Sequence, residues 1–372
     1  MNILVVIPTL GYGGAERLLV TLLPKFKEKG HNVKVCIFNT PDDLKNELTN
    51  YDIKVTNLNL KHRWSVIEAI VKLHKEIKIF KTDIVWGHLY FGILYSRLVS
   101  LFHSDIKVIS HLHYNISSDT AKKGLWYSFR NWIFNKSRKL DFATVAVSKS
   151  TKKDYEDFFG WKNIKVIYNV IDTESIENAI KGKIQKDIIS SNDYNIIIPG
   201  RLHESKGHQY LIEAIYKLKS EFDLTPKVII AGGGNIKDKI EKQINDLNIK
   251  EQFLLTGNLE QKELFKVIQL SDIVVIPSLF EAFGIVALEA MYLERPTITT
   301  KIDGLQEITT DRVDTIQVEV KNLEEIKKAL LRLIKDENLA QKLGKNAKQT
   351  AMQYNVNRIV NQWIELFESE KK

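Results

Sequence analysis

The stretch PSLFEAFGIVALEA, Pro277 to Ala290, sets two carboxylates, Glu281 and Glu289, into a run of otherwise apolar or small residues. A carboxylate in such surroundings is costly unless hydrogen-bonded, and donated hydroxyls of a ribose or another sugar would satisfy it. A helix start near Phe283-Gly284 puts Glu281 in the preceding loop and Glu289 inside the helix, beside N-terminal amides that favour an anion. A cap would account for Glu281 alone. Val286, Ala287, Leu288, Ala290 and Met291 leave Glu289 little surface, so a polar partner is expected for it. Upstream, Gly200-Arg201 and Lys206-Gly207 flank another loop. A planar fork of donors and a mobile point charge suit a diphosphate, the plainer alternative being two solvated loop cations.

Three histidines stand where strands should end: His88 after Ile84–Trp86, and His111 and His113 at the end of Val108–Leu112. At i and i+2 the last two share a face. They read as a polar site; zinc is the weaker reading, without cysteine support or a familiar ligand spacing. The loop Gly11-Tyr12-Gly13-Gly14 would let a phosphate approach helix amides. It is not a dinucleotide fingerprint, because Glu16 takes the place of the third glycine and the next strand ends in Asn39-Thr40 with no acid for a ribose. In GLWYSFRNWIFNKSRKL, Gly124 to Leu140, aromatics interleave with Arg130, Lys136, Arg138 and Lys139. That pattern fits either a helix on a membrane surface or a buried helix with solvated cations.

These residues need strand-end loops to hold them. Short β-branched runs alternate with amphipathic helical patterns, which predicts βαβ units and parallel sheets. The expected first series is Ile3–Ile7, Gly14–Lys29 (helix), Val33–Phe38, Val55–Leu58, Ser65–Phe80 (helix), Ile84–Trp86, Val108–Ser110, Ala143–Val147 and Val166–Tyr168. After a polar stretch over Glu174–Asp193 the pattern restarts with Asn195–Ile198, a helix from Lys206, Val228–Ala231, Ile236–Leu247 (helix), Phe253–Leu255, Gln261–Leu270 (helix), Ile273–Ile276, a helix from Gly284, and Thr297–Thr299. Both halves open alike, IPTLGYGGAERLL against IPGRLHESKGHQYLI. The expectation is two doubly wound, Rossmann-like α/β domains, 1–180 and 190–355, facing a central cleft, with ligands at the strands' carboxyl ends. A last helix within 356–370 is placed to return to the first domain.

Length and composition agree. A chain of 372 residues suits two domains, and 44% hydrophobic with 27% charged residues is globular. One cysteine, Cys36, makes no internal disulfide, which points to a reducing compartment. The start MNILVVIPTL reads as a buried strand, and no apolar run nears the ~20 residues of a membrane span. Residues 1–185 carry 28 Lys/Arg against 18 Asp/Glu, while the rest carry 26 against 28. The first half should therefore face something anionic. A phospholipid surface is favoured over nucleic acid, for which no binding module is present.

Together these loops resemble the retaining glycosyltransferases of the GT-B fold, family 4. The resemblance rests on G-R-L-x-x-x-K-G at Gly200–Gly207, on E-x7-E from Glu281 to Glu289 with Phe283-Gly284 inside, and on Gly13-Gly14-Ala15-Glu16-Arg17. Ala146-Val147-Ser148 and Asn169-Val170-Ile171-Asp172 match interdomain landmarks. Where the family often has Gly-Gly-x-x-Glu, this chain has Asp303-Gly304-Leu305-Gln306-Glu307.

The resemblance implies a hexosyl transfer from a nucleotide-diphosphate sugar, UDP-linked by expectation, to a glycan or lipid-linked acceptor in surface-polysaccharide synthesis. Arg201 and Lys206 would hold the diphosphate, Glu289 the ribose and Glu281 the transferred sugar. Backbone amides of Phe283, Gly284 and Ile285 would face sugar and phosphate, and Gly14 would admit the diphosphate. His113, with His111 second, would be the active-site histidine. No metal or other cofactor is implied, in keeping with the absence of Asp-x-Asp from the chain. A cytoplasmic protein, peripheral at the inner membrane face, is expected. A UDP-sugar epimerase and a non-catalytic sugar-nucleotide-binding protein are the alternatives.

Overall fold

The computed structural model describes residues 1–62, 64–119, 124–181, 188–189 and 193–370. The chain divides into two compact units, one of Met1–Val170 with Val356–Lys372, the other of Ile171–Asn355.

The first unit is built on seven strands: β1 (Asn2–Ile7), β2 (Asn32–Ile37), β3 (Lys54–Asn57), β4 (Ile84–His88), β5 (Lys107–Leu112), β6 (Ala143–Ala146) and β7 (Ile164–Val166). They run in the order β3-β2-β1-β4-β5-β6-β7, each pair parallel. Strand side chains alternate in direction, and the core divides accordingly. Ile3, Val5 and Ile7 pack with the helices Gly14–Glu28 and Val356–Glu368. Leu4 and Val6 pack on the other side with the helices Val66–Phe80, Leu89–Val99, Leu125–Ser137 and Lys149–Phe159. Buried on both faces, the strands read as continuous apolar runs.

The last helix belongs to this unit because of its apolar stripe. Ile359, Val360, Trp363 and Phe367 recur at helical spacing and are buried. Trp363 lies 4.4 Å from the Trp86 ring and Phe367 5.5 Å from Phe26. Each such burial is worth about 1.5–3 kcal/mol.

The second unit repeats the plan with β8 (Asn195–Pro199), β9 (Lys227–Ala231), β10 (Phe253–Gly257), β11 (Ile273–Ile276), β12 (Thr297–Thr300) and β13 (Ile316–Val318). Their order is β10-β9-β8-β11-β12-β13, again all parallel. In each sheet the strand order reverses beside its first strand, between β1 and β4 and between β8 and β11. Loops leaving those strands at their carboxyl ends diverge and open a crevice, which is where doubly wound sheets bind ligands.

Three sequence-based boundaries shift. The division falls at 170 rather than 180, because the helix Thr173–Ile180 packs in the second unit, where the Ile180 carbonyl accepts from Lys266 Nζ and Glu177 accepts from Tyr292 Oη at 2.6 Å. The seventh strand spans Ile164–Val166 rather than Val166–Tyr168, since its partner β6 ends at Ala146 before Ser148 caps the next helix. The helix expected from Lys206 begins at His208. Residues Glu204–Lys206 form a separate 3-10 turn, broken from the helix by Gly207 at φ +67°.

One buried ion pair ties the first unit's helices to its sheet. Arg97 grips Asp141 with two bonds of 2.8 and 2.7 Å, and donates to Ser110 Oγ (3.2 Å) and the Phe134 carbonyl (2.9 Å). Its guanidinium lies 4.7 Å from the centre of the Phe134 ring and 5.5 Å from that of Trp161. With both side chains buried, removing one charge strands the other. Asp141→Asn should cost about 3–5 kcal/mol in urea unfolding; a loss under about 1 kcal/mol, the size expected of a surface pair, would contradict this.

Candidate functional site

In the second unit, β8 and β11 lie side by side and send out the loops 200–207 and 277–284. Backbone contact pins the two together. The Leu279 amide donates to the Ser205 carbonyl at 2.8 Å. A Cβ on Gly207 would lie 2.0 Å from the Pro277 carbonyl oxygen, and φ of +67° also favours glycine there. On the far side, a Cβ on Gly304 would come within 2.1 Å of the Glu281 carbonyl oxygen. The glycine kept in Asp303-Gly304-Leu305-Gln306-Glu307 is thus the one the packing requires.

Held this way, Lys206 Nζ forms an ion pair with Glu281 Oε2, both side chains partly open to solvent. The Lys206 stem passes Gly200, with Cε 3.9 Å from where a Gly200 Cβ would stand. Arg201, next in the loop, is exposed. Gly284, at φ +95°, precedes the helix Ile285–Tyr292, whose first-turn amides point back toward Glu281's loop. Glu289 sits inside that helix with 7% exposure. Phe283 is buried with its ring edge-on to Tyr354, centroids 5.7 Å apart, so only its backbone can face a ligand.

Sequence reasoning missed two neighbours. Gly232, in the run Gly232-Gly233-Gly234 after β9, lets that loop seat on loop 200–207: a Cβ would come within 2.0 Å of the Gly200 carbonyl oxygen. Three glycines at a strand's carboxyl end were the available signal. His208, buried after Gly207 with neither ring nitrogen bonded, has its pKa lowered to about 4 by burial and then by the Lys206 charge.

In the first unit, β4 and β5 are neighbours and bring His88, His111 and His113 together, a nitrogen of each lying within 4.8 Å of the others. His88 Nδ1 and His113 Nε2 share a hydrogen bond of 2.8 Å. His111 packs 4.1 Å from the His113 ring, stacks on Trp86 and meets Trp363 edge-on. At 1% exposure it cannot touch a substrate, which leaves His113, partly exposed, as the accessible one. Three imidazole nitrogens at this spacing are also able to share a metal ion. Gly14 starts the helix Gly14–Glu28, and a Cβ there would meet nothing within 4 Å. No packing within the described residues requires that glycine. Arg17 of the same motif bonds Glu47 at 2.9 Å, a structural role.

Two family models divide the chain: residues 12–175 match "Glycosyltransferase Family 4" and residues 180–350 match "Glycosyl transferases group 1". The chain belongs to the family 4 glycosyltransferases. The family 4 chain is 26% identical over 385 aligned positions, covering 100% of it and 99% of the relative, to the Campylobacter jejuni "GalNAc-alpha-(1->4)-GalNAc-alpha-(1->3)-diNAcBac-PP-undecaprenol alpha-1,4-N-acetyl-D-galactosaminyltransferase". It is 30% identical over 231 residues to an uncharacterized glycosyltransferase of Methanocaldococcus jannaschii, a match spanning 60% of this chain and 59% of that one. In fold it is similar to Anabaena HepE solved with UDP-glucose, TM-score 0.86 at 19% identity over 100% of both chains. The lipopolysaccharide outer core galactosyltransferase WaaB aligns with TM-score 0.73 at 17% identity, covering 98% of this chain and 99% of that one. The GT-B fold and glycosyl transfer are therefore common to this glycosyltransferase and its relatives.

The histidine cluster makes the fold acid-sensitive. Burial lowers all three imidazoles, His113 to about 3 and the other two well below their ordinary 6.5, with the His113 neighbour adding to the shift in both. An unfolded chain takes up protons below pH 6.5 that the folded cluster refuses, so stability is full above 6.5 and lost as pH falls toward 3. The urea midpoint should drop between about pH 7.5 and about pH 5, and His111→Phe, which keeps the ring without its nitrogens, should flatten the drop. An unchanged slope in that variant would contradict the assignment.

Proposed function

We propose that this glycosyltransferase moves a hexosyl residue, with retention of anomeric configuration, from a UDP-sugar to a lipid-linked or glycan acceptor in surface-polysaccharide synthesis. The observation that carries this is the Lys206–Glu281 ion pair, set between two pinned loops at the point where the strand order reverses. The likeness to HepE, solved with UDP-glucose, supports the choice of UDP. The PP-undecaprenol in the Campylobacter relative's name supports the lipid-linked acceptor.

In this reading the diphosphate takes Arg201 and Lys206 as counter-charges. Lys206 shifts from Glu281 toward phosphate, and the released carboxylate accepts hydrogen bonds from the sugar. Glu289 accepts from the ribose hydroxyls, while amides of Phe283–Ile285 meet the sugar and the phosphate. In the first unit, Gly14 and the partly exposed His113, neutral at working pH, are the residues proposed to meet substrate. The bond from the anomeric carbon to the diphosphate oxygen breaks, and an acceptor hydroxyl oxygen bonds that carbon on the same face. Its proton passes to the departing phosphate. Cations and helix amides stabilise the developing charge, an electrostatic route with no metal in it.

Lys206→Ala and Glu281→Ala should each lower turnover by about a hundredfold or more without changing the unfolding midpoint. Full activity in either sinks the assignment, and an epimer formed without acceptor turns it toward the epimerase. Turnover should also survive EDTA; loss restored by a divalent cation would make the histidine cluster a working metal centre instead.

A further inference from the structure

We propose that His88, His111 and His113 form a binding site for a divalent transition-metal ion of the zinc or nickel class, and that an ion held there shuts off transfer by engaging His113. The sheet register builds the cluster. His88 ends β4 directly opposite His111 on β5, and His113 follows two residues later, so all three stand at the carboxyl edge of two neighbouring strands. A nitrogen of each lies within 4.8 Å of the others. Nitrogens around a tetrahedral ion, with bonds of about 2.0–2.1 Å, stand roughly 3.3 Å apart. His88 and His111 are buried, and a turn of His113, the one ring partly open to solvent, closes the difference.

The polar atoms of the cluster are short of partners. The 2.8 Å bond between His88 Nδ1 and His113 Nε2 engages one nitrogen of each ring. His88 Nε2 and both nitrogens of His111 have no hydrogen-bond partner and no access to solvent. Leaving a buried donor or acceptor in that state costs about 1–3 kcal/mol. Packing alone does not ask for it. The neighbouring rings, Trp86 at 4.7 Å from His88 and Trp363 at 4.7 Å from His111, would be met as well by phenylalanine. A metal ion takes up such nitrogens, and the bond between His88 and His113 is exchanged for coordination.

The donor set selects the ion. Among the described residues the group consists of imidazoles alone, with no carboxylate or thiol in it. Imidazole suits zinc, nickel and copper, whereas magnesium, calcium and manganese prefer oxygen. Three ligands are one fewer than the closed sites that hold zinc as a structural element, so the ion comes and goes with its concentration. The inhibitory half of the proposal rests on the role proposed for His113 toward substrate: a ring turned onto an ion is withdrawn from it. Chelation thus leaves transfer intact, and added zinc lowers it.

The test is a calorimetric titration of zinc into the full chain without nucleotide, alongside sugar transfer assayed with and without zinc. The wild type should take up one ion per chain, and magnesium at about a hundredfold excess should not compete. His88→Phe and His111→Phe, with unfolding midpoints checked, should each weaken zinc binding about a hundredfold or more, since losing even an outer partner of a ligand costs about 10–100-fold. His103→Gln should bind zinc as the wild type does. It breaks the unit's other imidazole pair, His74 and His103, whose rings lie 4.7 Å apart at the opposite end of β5. A second reading needs no variant: bound nickel should quench part of the tryptophan fluorescence, because Trp86 and Trp363 border the cluster. Absence of zinc binding and of quenching, or binding indifferent to both phenylalanine changes, overturns the site. Binding that leaves transfer untouched overturns the inhibition. Zinc uptake by a chain that transfers no sugar keeps the site and removes the proposed function; transfer by a chain that takes up no zinc does the reverse.

Discussion

Backbone lying against backbone is the constraint on which the proposed donor site depends. At Gly207 and at Gly304 the chain passes so close to the Pro277 and Glu281 carbonyls that no side chain fits between. Those two contacts clamp the loop carrying Glu281 from both sides, and the bond from Leu279 to Ser205 sets its register against the loop carrying Lys206. A long flexible lysine and a loop glutamate would otherwise lose much of their attraction to side-chain entropy and to solvent. Clamped, they meet at a fixed place beside a helix N-terminus. In the proposed reading, the backbone and the amides are in place before a diphosphate arrives, and only the lysine side chain has to turn from carboxylate to phosphate.

The first unit carries a different economy. Its histidines are oriented by burial among aromatic rings, with Trp86 and Trp363 walling His111 and His111 backing His113. The C-terminal helix supplies Trp363, so the end of the chain props residues near its beginning. The cost is three neutral imidazoles in a dry environment, a stability that acid erodes.

Much of this was legible in the residues. Continuous β-branched runs between amphipathic stretches gave away both parallel sheets, because strands buried on both faces have no alternation to hide them. The E-x7-E segment stood out because carboxylates in an apolar run need partners, while G-R-L-x-x-x-K-G gained its meaning from the family resemblance. What escaped was set by tertiary contact. Nothing local says that Gly207 would break the helix after Lys206, that Thr173–Ile180 would pack with the second unit, or that His111 would sink behind His113. The Gly124–Leu140 segment was ambiguous between buried and surface-lying helix. The helix buries Phe134 and exposes Leu125, Phe129 and Trp132, a division that periodicity could not give because the aromatic residues circle the whole helix.

Glu289 is where the account stands or falls. It lies in the helix behind Glu281 with 7% exposure, and in the proposed reading it is the carboxylate that receives the ribose hydroxyls. The direct measurement is a calorimetric titration of UDP into the wild type and into Glu289→Gln, with the unfolding midpoint checked in both. Loss of a hydrogen-bonded charge should weaken UDP binding by about tenfold or more at unchanged fold. Equal affinity in the two proteins would contradict the donor site and return PSLFEAFGIVALEA to the core.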